Sequence, residues 1–173
     1  MKIIAEIDIP PDTHTAIQLL RNAAFQDHQV NRSYFKQLPH SRMLTYSGEQ
    51  LVGHMGLDYR VIRVGDAVLK ILGVIDFCVS EHARGQGIGS SMLATLSAYA
   101  KTRDVDFLML MSEHTHFYCR HGFQQVTAHH SWLRLHEHQN YGIGFEPLNE
   151  LLIQPVSGLE WPSGHIDWLG YMF

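Results

Sequence analysis

A glycine-rich segment between an apolar strand and an amphipathic helix constrains this chain more than any other feature. The segment covers residues 80–90 and has glycines at alternate positions, Gly85, Gly87 and Gly89. Glycine tolerates the backbone conformations that let successive N–H groups converge, and the start of a helix adds partial positive charge. The strand, loop and helix therefore predict an anion site, to which Arg84 adds a charge-assisted contact.

The spacing of the glycines excludes two common nucleotide-binding loops. A P-loop needs Lys followed by Ser or Thr after its last glycine, and no lysine follows Gly89 in the loop. The dinucleotide fingerprint needs Gly-x-Gly-x-x-Gly, but counted from Gly85 its third glycine is replaced by Ser90. Counted from Gly87, it is replaced by Met92. A glycine turn that caps the helix without binding a ligand is the remaining alternative.

Hydrophobic periodicity predicts an α/β chain with a mixed sheet. The predicted strands cover residues 3–7, 42–46, 51–64, 67–79, 107–111 and 123–126. The predicted helices cover residues 11–25, 33–37, 88–102 and 116–121. In the first helix, the predicted apolar face consists of Ala16, Leu19, Leu20 and Ala23. Antiparallel hairpins followed by a strand–helix–strand unit are typical of layered α/β domains.

The length of the chain indicates its domain organisation. A chain of 173 residues fits one domain, and residues 1–127 contain neither a repeat nor a linker. We expect a single domain over residues 1–173, with a core of residues 1–127 and an extension of residues 128–173. The Gly and Pro punctuation of residues 136–173 predicts an extra hairpin or a lid.

Composition excludes several classes of function. Thirteen Lys and Arg against seventeen Asp and Glu give a net charge of −4, without the basic excess of nucleic-acid-binding proteins. The longest apolar stretch, residues 68–79, contains Lys70 and Asp76 and is too short to span a bilayer. Glu6 and Asp8 interrupt the position where a signal peptide needs an apolar core. With two cysteines and no zinc-type ligand spacing among thirteen histidines, we expect a cytoplasmic protein without bound metal.

Two motifs resemble the signatures of the GCN5-related N-acetyltransferases (GNAT). Arg-x-x-Gly-x-Gly at residues 84–89 is similar to the loop that binds the acetyl-CoA pyrophosphate in that family. Phe-Tyr-x-x-x-Gly-Phe at residues 117–123 is similar to the second signature of the family. The resemblance covers residues 1–126 and implies the GNAT fold, a mixed, mostly antiparallel central sheet flanked by helices.

The resemblance also implies an activity and a cofactor site. Acetyl-CoA would be the acyl donor, and a primary amine of a small molecule would attack its thioester directly in a ternary complex. A backbone N–H near Phe77 or Cys78 would stabilise the oxyanion. The residues implied in cofactor binding are Phe77, Cys78, Val79, Arg84, Gly85, Gln86, Gly87, Ile88, Gly89 and Ser90.

Several side chains are candidates for the chemistry. The resemblance places Tyr118 beside the sulfur, where its phenol would protonate the leaving thiolate. Asp76 interrupts an apolar strand, where an unpaired carboxylate is costly, so it is the first candidate base. The alternative is a carboxylate that is satisfied by a neighbouring backbone group or a histidine. Glu113 or Glu81 could substitute as the base, and a solvated loop charge is the alternative for each. Cys78 and Cys119 offer a covalent route, for which the sequence holds no further indication.

A narrower resemblance is to the aminoglycoside 2′-N-acetyltransferases. Residues 52–76 are similar to the hairpin before the cofactor strand of those enzymes, and residues 161–166 to their C-terminal Trp-x-x-Gly-Asp-Val-Trp. This resemblance implies an amino sugar or an aminoglycoside as the acceptor, and carboxylates such as Asp58, Asp76 and Asp167 suit a cationic one. His165 replaces the acidic residue that helps those enzymes bind the sugar, which speaks against an antibiotic substrate.

Two other functions fit the same motifs. A non-catalytic acyl-CoA sensor needs the glycine loop but neither Tyr118 nor Asp76. An acyltransferase that uses a longer acyl chain needs a wider cleft beside Cys78. The aromatic residues of the extension, such as Trp132 and Phe145, are expected in the core or in a homodimer interface rather than in a substrate site.

Overall fold

The computed structural model describes the whole chain from Met1 to Phe173, with three α-helices and eight strands. The helices are α1 (Pro11–Ala24), α2 (Ile88–Lys101) and α3 (Thr115–Cys119). The strands are β1 (Lys2–Ala5), β2 (Ser41–Ser47), β3 (Gln50–Val64), β4 (Ala67–Val79), β5 (Phe107–Met111), β6 (Gln124–His136), β7 (Gln139–Pro155) and β8 (Ile166–Tyr171). None of the helices has the length and apolar character needed to cross a membrane.

The chain forms two compact units. The first comprises Met1–Asp58 and Val74–Leu96, and the second comprises Tyr59–Gly73 and Ser97–Phe173. Strand β6 is continuous from Gln124 to His136 and so joins the expected core to the expected extension.

In the first unit the strand order is β1-β2-β3-β4, and the β1–β2 and β2–β3 pairs are antiparallel. Pro11 begins α1, where a residue without an N–H and with a fixed φ is favoured. Helix α1 buries Ile17 and Leu20 in an apolar cluster, since side chains three residues apart share one helix face. The cluster consists of Ile9, Ile17, Leu20, Leu44, Leu51 and Cys78.

The predicted apolar face of α1 is partly wrong. Leu19 is 65% exposed and Ala23 is also exposed, whereas Ile17, Leu20 and Arg21 are buried. The reason is Arg21, which occupies a core position because its charge meets a carboxylate on β4. Hydrophobic periodicity alone assigns such an arginine to solvent.

Other predicted boundaries also differ from the structure. The first strand ends at Ala5, because Glu6–Asp8 form a 3₁₀ turn. Residues 33–37 form bends and no helix. There the carbonyls of Ser33 and Phe35 accept hydrogen bonds from arginine side chains. The last predicted strand is much longer and forms a hairpin with β7. The hairpin expected within residues 136–173 is not formed, because β7 and β8 pair with other strands and not with each other.

In the second unit the strand order is β4-β5-β7-β6-β8. The β4–β5 and β6–β8 pairs are parallel, and the β5–β7 and β6–β7 pairs are antiparallel. Its core is Ile62, Val64, Leu69, Ile71, Phe107, Met109, Leu151, Ile153, Ile166 and Trp168. The α/β fold class with a mixed, mostly antiparallel sheet is confirmed.

A buried ion pair links the start of the first unit to β2. Arg42 is 1% exposed, and its Nε and Nη2 donate to the two carboxylate oxygens of Glu6, which is 8% exposed. Two parallel charge-assisted bonds of this kind are stronger than a neutral pair and fix the planes of both groups. The pair therefore sets the position of the 3₁₀ turn after β1.

We predict that Glu6→Gln lowers the free energy of unfolding by about 3 to 5 kcal/mol, because it leaves a buried guanidinium without its counter-charge. Urea unfolding followed by circular dichroism measures this loss. Glu49→Gln, in the exposed turn between β2 and β3, is the control and is expected to change stability by less than about 0.5 kcal/mol. Equal stability of the two variants would contradict the role given to the pair.

Candidate active site

The glycine loop of the first unit has backbone conformations that suit the predicted anion site. Gly85 and Gly87 have φ of +74° and +78°, a region that other residues rarely adopt. A Cβ at either position would meet nothing within 4 Å, so the space over the loop is open. The Gly87 carbonyl accepts the Ser91 N–H at 2.9 Å, which makes Gly87 the cap of α2. The first turn of α2 holds no acidic residue that would compete with an anion.

Side chains of the loop hold its own backbone in place. Arg84 Nε donates to the Val79 carbonyl at 3.1 Å, and Gln86 Nε2 donates to the His82 carbonyl at 3.1 Å. The arginine bond uses one of five guanidinium donors, and the side chain is exposed. The residues expected to bind the cofactor thus lie at the end of β4 (residues 77–79) and in the glycine loop and first turn of α2 (residues 84–90).

Asp76 lies within β4 in a left-handed conformation, with φ of +49°. Its Oδ2 accepts a hydrogen bond from Arg21 Nε at 2.9 Å, and the Asp76 side chain is only 13% exposed. The negative charge of Asp76 also acts on Lys36, whose pKa is lowered by burial and partly restored by this carboxylate. The Asp76 carboxylate is thus paired with an arginine, and not with the backbone group or histidine expected as the structural alternative. Its role as a base stays a prediction.

Arg21 is the residue of this site that the sequence did not identify. Its Nη1 donates to the His28 carbonyl at 2.8 Å, and its guanidinium lies 5.8 Å from the Phe25 ring and 5.3 Å from the Phe35 ring. A signal existed in the sequence, since Arg21 follows Ile17 by four residues and so shares its buried helix face.

Cys78 is poorly suited to a covalent route. Burial, followed by the nearby Asp76 carboxylate, raises the pKa of the Cys78 thiol to about 12. The thiolate is the nucleophilic form of cysteine and is scarce at neutral pH with such a pKa. Cys78 also belongs to the apolar cluster of the first unit, which is the ordinary role of a buried cysteine.

Tyr118 lies on α3 in the second unit and is 7% exposed. Burial raises the pKa of its phenol to about 12, against the opposing effect of a hydrogen bond with the Ser112 side chain. The phenol therefore keeps its proton at neutral pH, the form that an acid needs. The Phe117 and Phe123 rings lie 5.1 Å and 5.7 Å from it and fix its orientation. Glu113, one of the two substitute bases, is exposed in the turn between β5 and α3.

The carboxylates that were expected to suit a cationic acceptor already have positive or ionisable partners. Asp58 lies 2.7 Å from His40 Nδ1, Asp76 accepts a bond from Arg21, and Asp167 lies 3.1 Å from Arg63 Nη2. These pairings remove most of the argument for a polycationic acceptor. No group of three or more His, Cys, Asp or Glu side chains is arranged to hold a metal ion.

The C-terminal motif at residues 161–166 anchors β8 within the second unit. Gly164 has φ of +128°, and a Cβ there would lie 2.9 Å from the Gly65 Cα. His165 Nε2 lies 2.8 Å from Ser131 Oγ on β6. These contacts give His165 a structural setting in place of the acidic residue of the aminoglycoside enzymes.

Next to this motif, Trp168 Nε1 donates to His130 Nδ1 at 3.0 Å. Burial lowers the pKa of His130 to about 4, so the folded state holds the neutral ring while the unfolded chain binds a proton near pH 6.5. The contribution of the neutral His130 ring to the free energy of unfolding is therefore complete above about pH 6.5 and is lost as the pH falls toward 4.

We predict that His130→Asn flattens this pH dependence, because the Asn oxygen can still accept the Trp168 N–H but does not titrate. The slope difference from the unmodified chain is expected to reach about 1.4 kcal/mol per pH unit between pH 4 and 6.5. Urea unfolding at several pH values measures it. His136→Gln, at an exposed position, is the control, and parallel curves for all three proteins would contradict the assignment.

We also predict that Gly87→Glu abolishes acetyl-CoA binding, because a carboxylate in the open space over the loop repels the pyrophosphate. Gly48→Glu is a matched control, since Gly48 has φ of +59°, lies in the β2–β3 turn and likewise has nothing within 4 Å of a Cβ. Both variants carry the same charge and similar backbone strain. Calorimetric titration should detect binding only to the control, and binding to both would contradict the anion site.

Comparisons with known proteins agree with the two sequence motifs. The model of the acetyltransferase (GNAT) domain matches residues 9–126, more than half of the chain. Nodulation protein A of Rhizobium leguminosarum bv. trifolii is 26% identical over 140 residues, which cover 73% of this chain and 71% of that protein.

Two solved structures show the same fold. A GNAT family acetyltransferase from Brucella melitensis in complex with acetyl-CoA superposes with a TM-score of 0.62 and 16% identity, covering 95% of this chain and 93% of that one. A GCN5-related N-acetyltransferase from Anabaena variabilis has a TM-score of 0.58 and 11% identity over 72% of this chain. This chain spans only 32% of the Anabaena protein.

Proposed function

Because the chain belongs to the GNAT acetyltransferase family, we propose that it binds acetyl-CoA and transfers the acetyl group to a primary amine of a small molecule. The observation that carries this proposal is the open glycine loop at the start of α2, with two left-handed glycines and no acidic residue in the first helical turn. A loop of this geometry suits the pyrophosphate of the cofactor.

The loop supplies the positive charge for an anionic ligand locally. The chain has a net charge of −4, so no overall excess of basic residues attracts the cofactor. Backbone N–H groups of residues 85–90 and the partial positive charge of the α2 N-terminus take that part, together with Arg84. Acetyl-CoA binding is therefore expected to depend on the loop conformation more than on any one side chain.

The proposed reaction is a direct displacement. The amine nitrogen bonds to the thioester carbonyl carbon, the C–S bond breaks, and the amine proton leaves to a base. Tyr118 is assigned as the donor of a proton to the thiolate, since burial keeps its phenol protonated. Asp76 is assigned as the first candidate base, and its bond with Arg21 engages only Oδ2.

The chemical class of the acceptor amine is tested with a panel of amines. The resemblance to aminoglycoside enzymes supports an amino sugar, whereas the paired carboxylates Asp58, Asp76 and Asp167 give no preference for a polycation. The test incubates the chain with acetyl-CoA and a panel that contains an amino sugar, an aminoglycoside, an amino acid and a polyamine. Release of free CoA thiol is measured. Turnover of any amine supports the transferase, and acetyl-CoA binding without turnover would replace it by the sensor.

We predict that Tyr118→Phe lowers kcat by about a hundredfold or more on any amine that turns over, because the thiolate loses its proton donor. The dissociation constant for acetyl-CoA should remain within about twofold, since the variant retains the ring. Tyr99→Phe removes a phenol from α2, where the ring contacts Arg103, and serves as the control with unchanged kcat. Equal activity of Tyr118→Phe and the unmodified chain would remove Tyr118 as the acid.

A further inference from the structure

His54 on β3 lies next to the backbone of Asp76. The proposed reaction assigns no step to this side chain. It is fully buried, and its Nδ1 lies 3.1 Å from the Asp76 carbonyl oxygen. On the other side of the ring, Nε2 lies 3.0 Å from Arg42 Nη1. The imidazole thus joins a strained residue of β4 to the buried arginine of β2.

The partners of His54 determine which ring nitrogen holds the proton. A guanidinium only donates hydrogen bonds, so Nε2 must accept the bond from Arg42. Nδ1 then holds the proton and donates it to the Asp76 carbonyl. Burial, and then the Arg42 charge, lower the pKa of His54 to about 3, which agrees with a ring that is neutral at neutral pH.

Arg42 cannot turn away from His54, because its five donors all have acceptors. Two bonds go to Glu6, one to the Ser33 carbonyl, one to Ser33 Oγ and one to His54. The plane of the Arg42 guanidinium is therefore fixed, and the hydrogen bond from its Nη1 fixes the position of the His54 ring. The chain of bonds runs from Glu6 through Arg42 and His54 to Asp76.

Asp76 needs such support because a left-handed conformation is sterically unfavourable for a residue with a Cβ, and within a strand it reorients the neighbouring peptide groups. Its carboxylate is held by Arg21 and its carbonyl by His54. The peptide segment that follows, residues 76–78, contains the backbone N–H expected to receive the thioester carbonyl.

We propose that His54 is a positioning residue, whose Nδ1–H holds the Asp76 carbonyl and so aims the following N–H of β4 at the acyl carbonyl of acetyl-CoA. This inference rests on the proposed function, since it assumes that the acyl group lies at this segment. His54 itself touches neither the amine nor the cofactor.

Two substitutions separate positioning from simple packing. Asn keeps a donor at the same number of bonds from the backbone as Nδ1, and so retains the bond to Asp76. Gln keeps an acceptor near the Nε2 position for Arg42 but loses the donor to Asp76. A positioning role ranks His54→Asn above His54→Gln, whereas a role limited to satisfying Arg42 gives the reverse order.

The measurement is the ratio of the dissociation constants for CoA and acetyl-CoA, obtained by calorimetry, which needs no acceptor amine. We expect the unmodified chain and His54→Asn to prefer acetyl-CoA by about five- to tenfold, and His54→Gln to lose the preference. An unchanged ratio in His54→Gln, the reverse order of the two variants, or no preference in the unmodified chain would overturn the proposal. Binding of neither ligand by the unmodified chain would instead overturn the proposed function.

A second measurement needs neither a ligand nor a variant that folds. Nitrogen-15 NMR of the unmodified chain should show His54 as the neutral Nδ1–H tautomer across about pH 5 to 8, where an ordinary histidine titrates. A titrating ring, or a proton on Nε2, would overturn the proposal even if the cofactor binds.

Discussion

The left-handed conformation of Asp76 is the constraint on which the first unit depends. A non-glycine residue with positive φ inside a strand persists only where its surroundings hold it. Here Arg21 holds the carboxylate and His54 holds the carbonyl. Both are buried, and the second is fixed by Arg42 and Glu6. The polar interior of this unit is therefore organised around one peptide segment of β4, which leads directly into the glycine loop.

The glycine loop and the segment after Asp76 suit two parts of the proposed ligand. The first suits its anionic pyrophosphate, and the second suits its reacting carbonyl. An anion needs converging donors without competing carboxylates, and the start of α2 offers them in open space. A reacting carbonyl needs a donor of fixed direction, and the rigid segment after Asp76 is suited to give one. Because backbone groups are proposed for both tasks, the net charge of −4 is compatible with a polyanionic ligand.

The sequence predicts the local features of the chain well and the long-range ones poorly. Strand β5 and helix α2 are confirmed because their hydrophobic patterns are unambiguous over the whole element. The glycine turn at the start of α2 is recognised because glycine spacing before a helix is a local signal, and its anion-binding role stays a prediction. The family is confirmed by the match over residues 9–126.

The buried polar network could not be predicted in the same way. Arg21, Arg42 and His54 come from separate elements, and each looks like an ordinary polar residue until its partner is known. The helix expected at residues 33–37 fails for the same reason, since Arg42 takes a carbonyl that a helix would use. Asp76 is an intermediate case: its apolar strand marks it as unusual, but only the structure reveals Arg21.

The most direct test of cofactor binding at the glycine loop is an NMR titration of the nitrogen-15-labelled chain with acetyl-CoA. We expect saturable shifts of the amide signals of residues 84–90, with further shifts at residues 76–78 that are weaker when CoA replaces acetyl-CoA. Absence of shifts in the glycine loop at millimolar acetyl-CoA, or shifts confined to other parts of the chain, would contradict it.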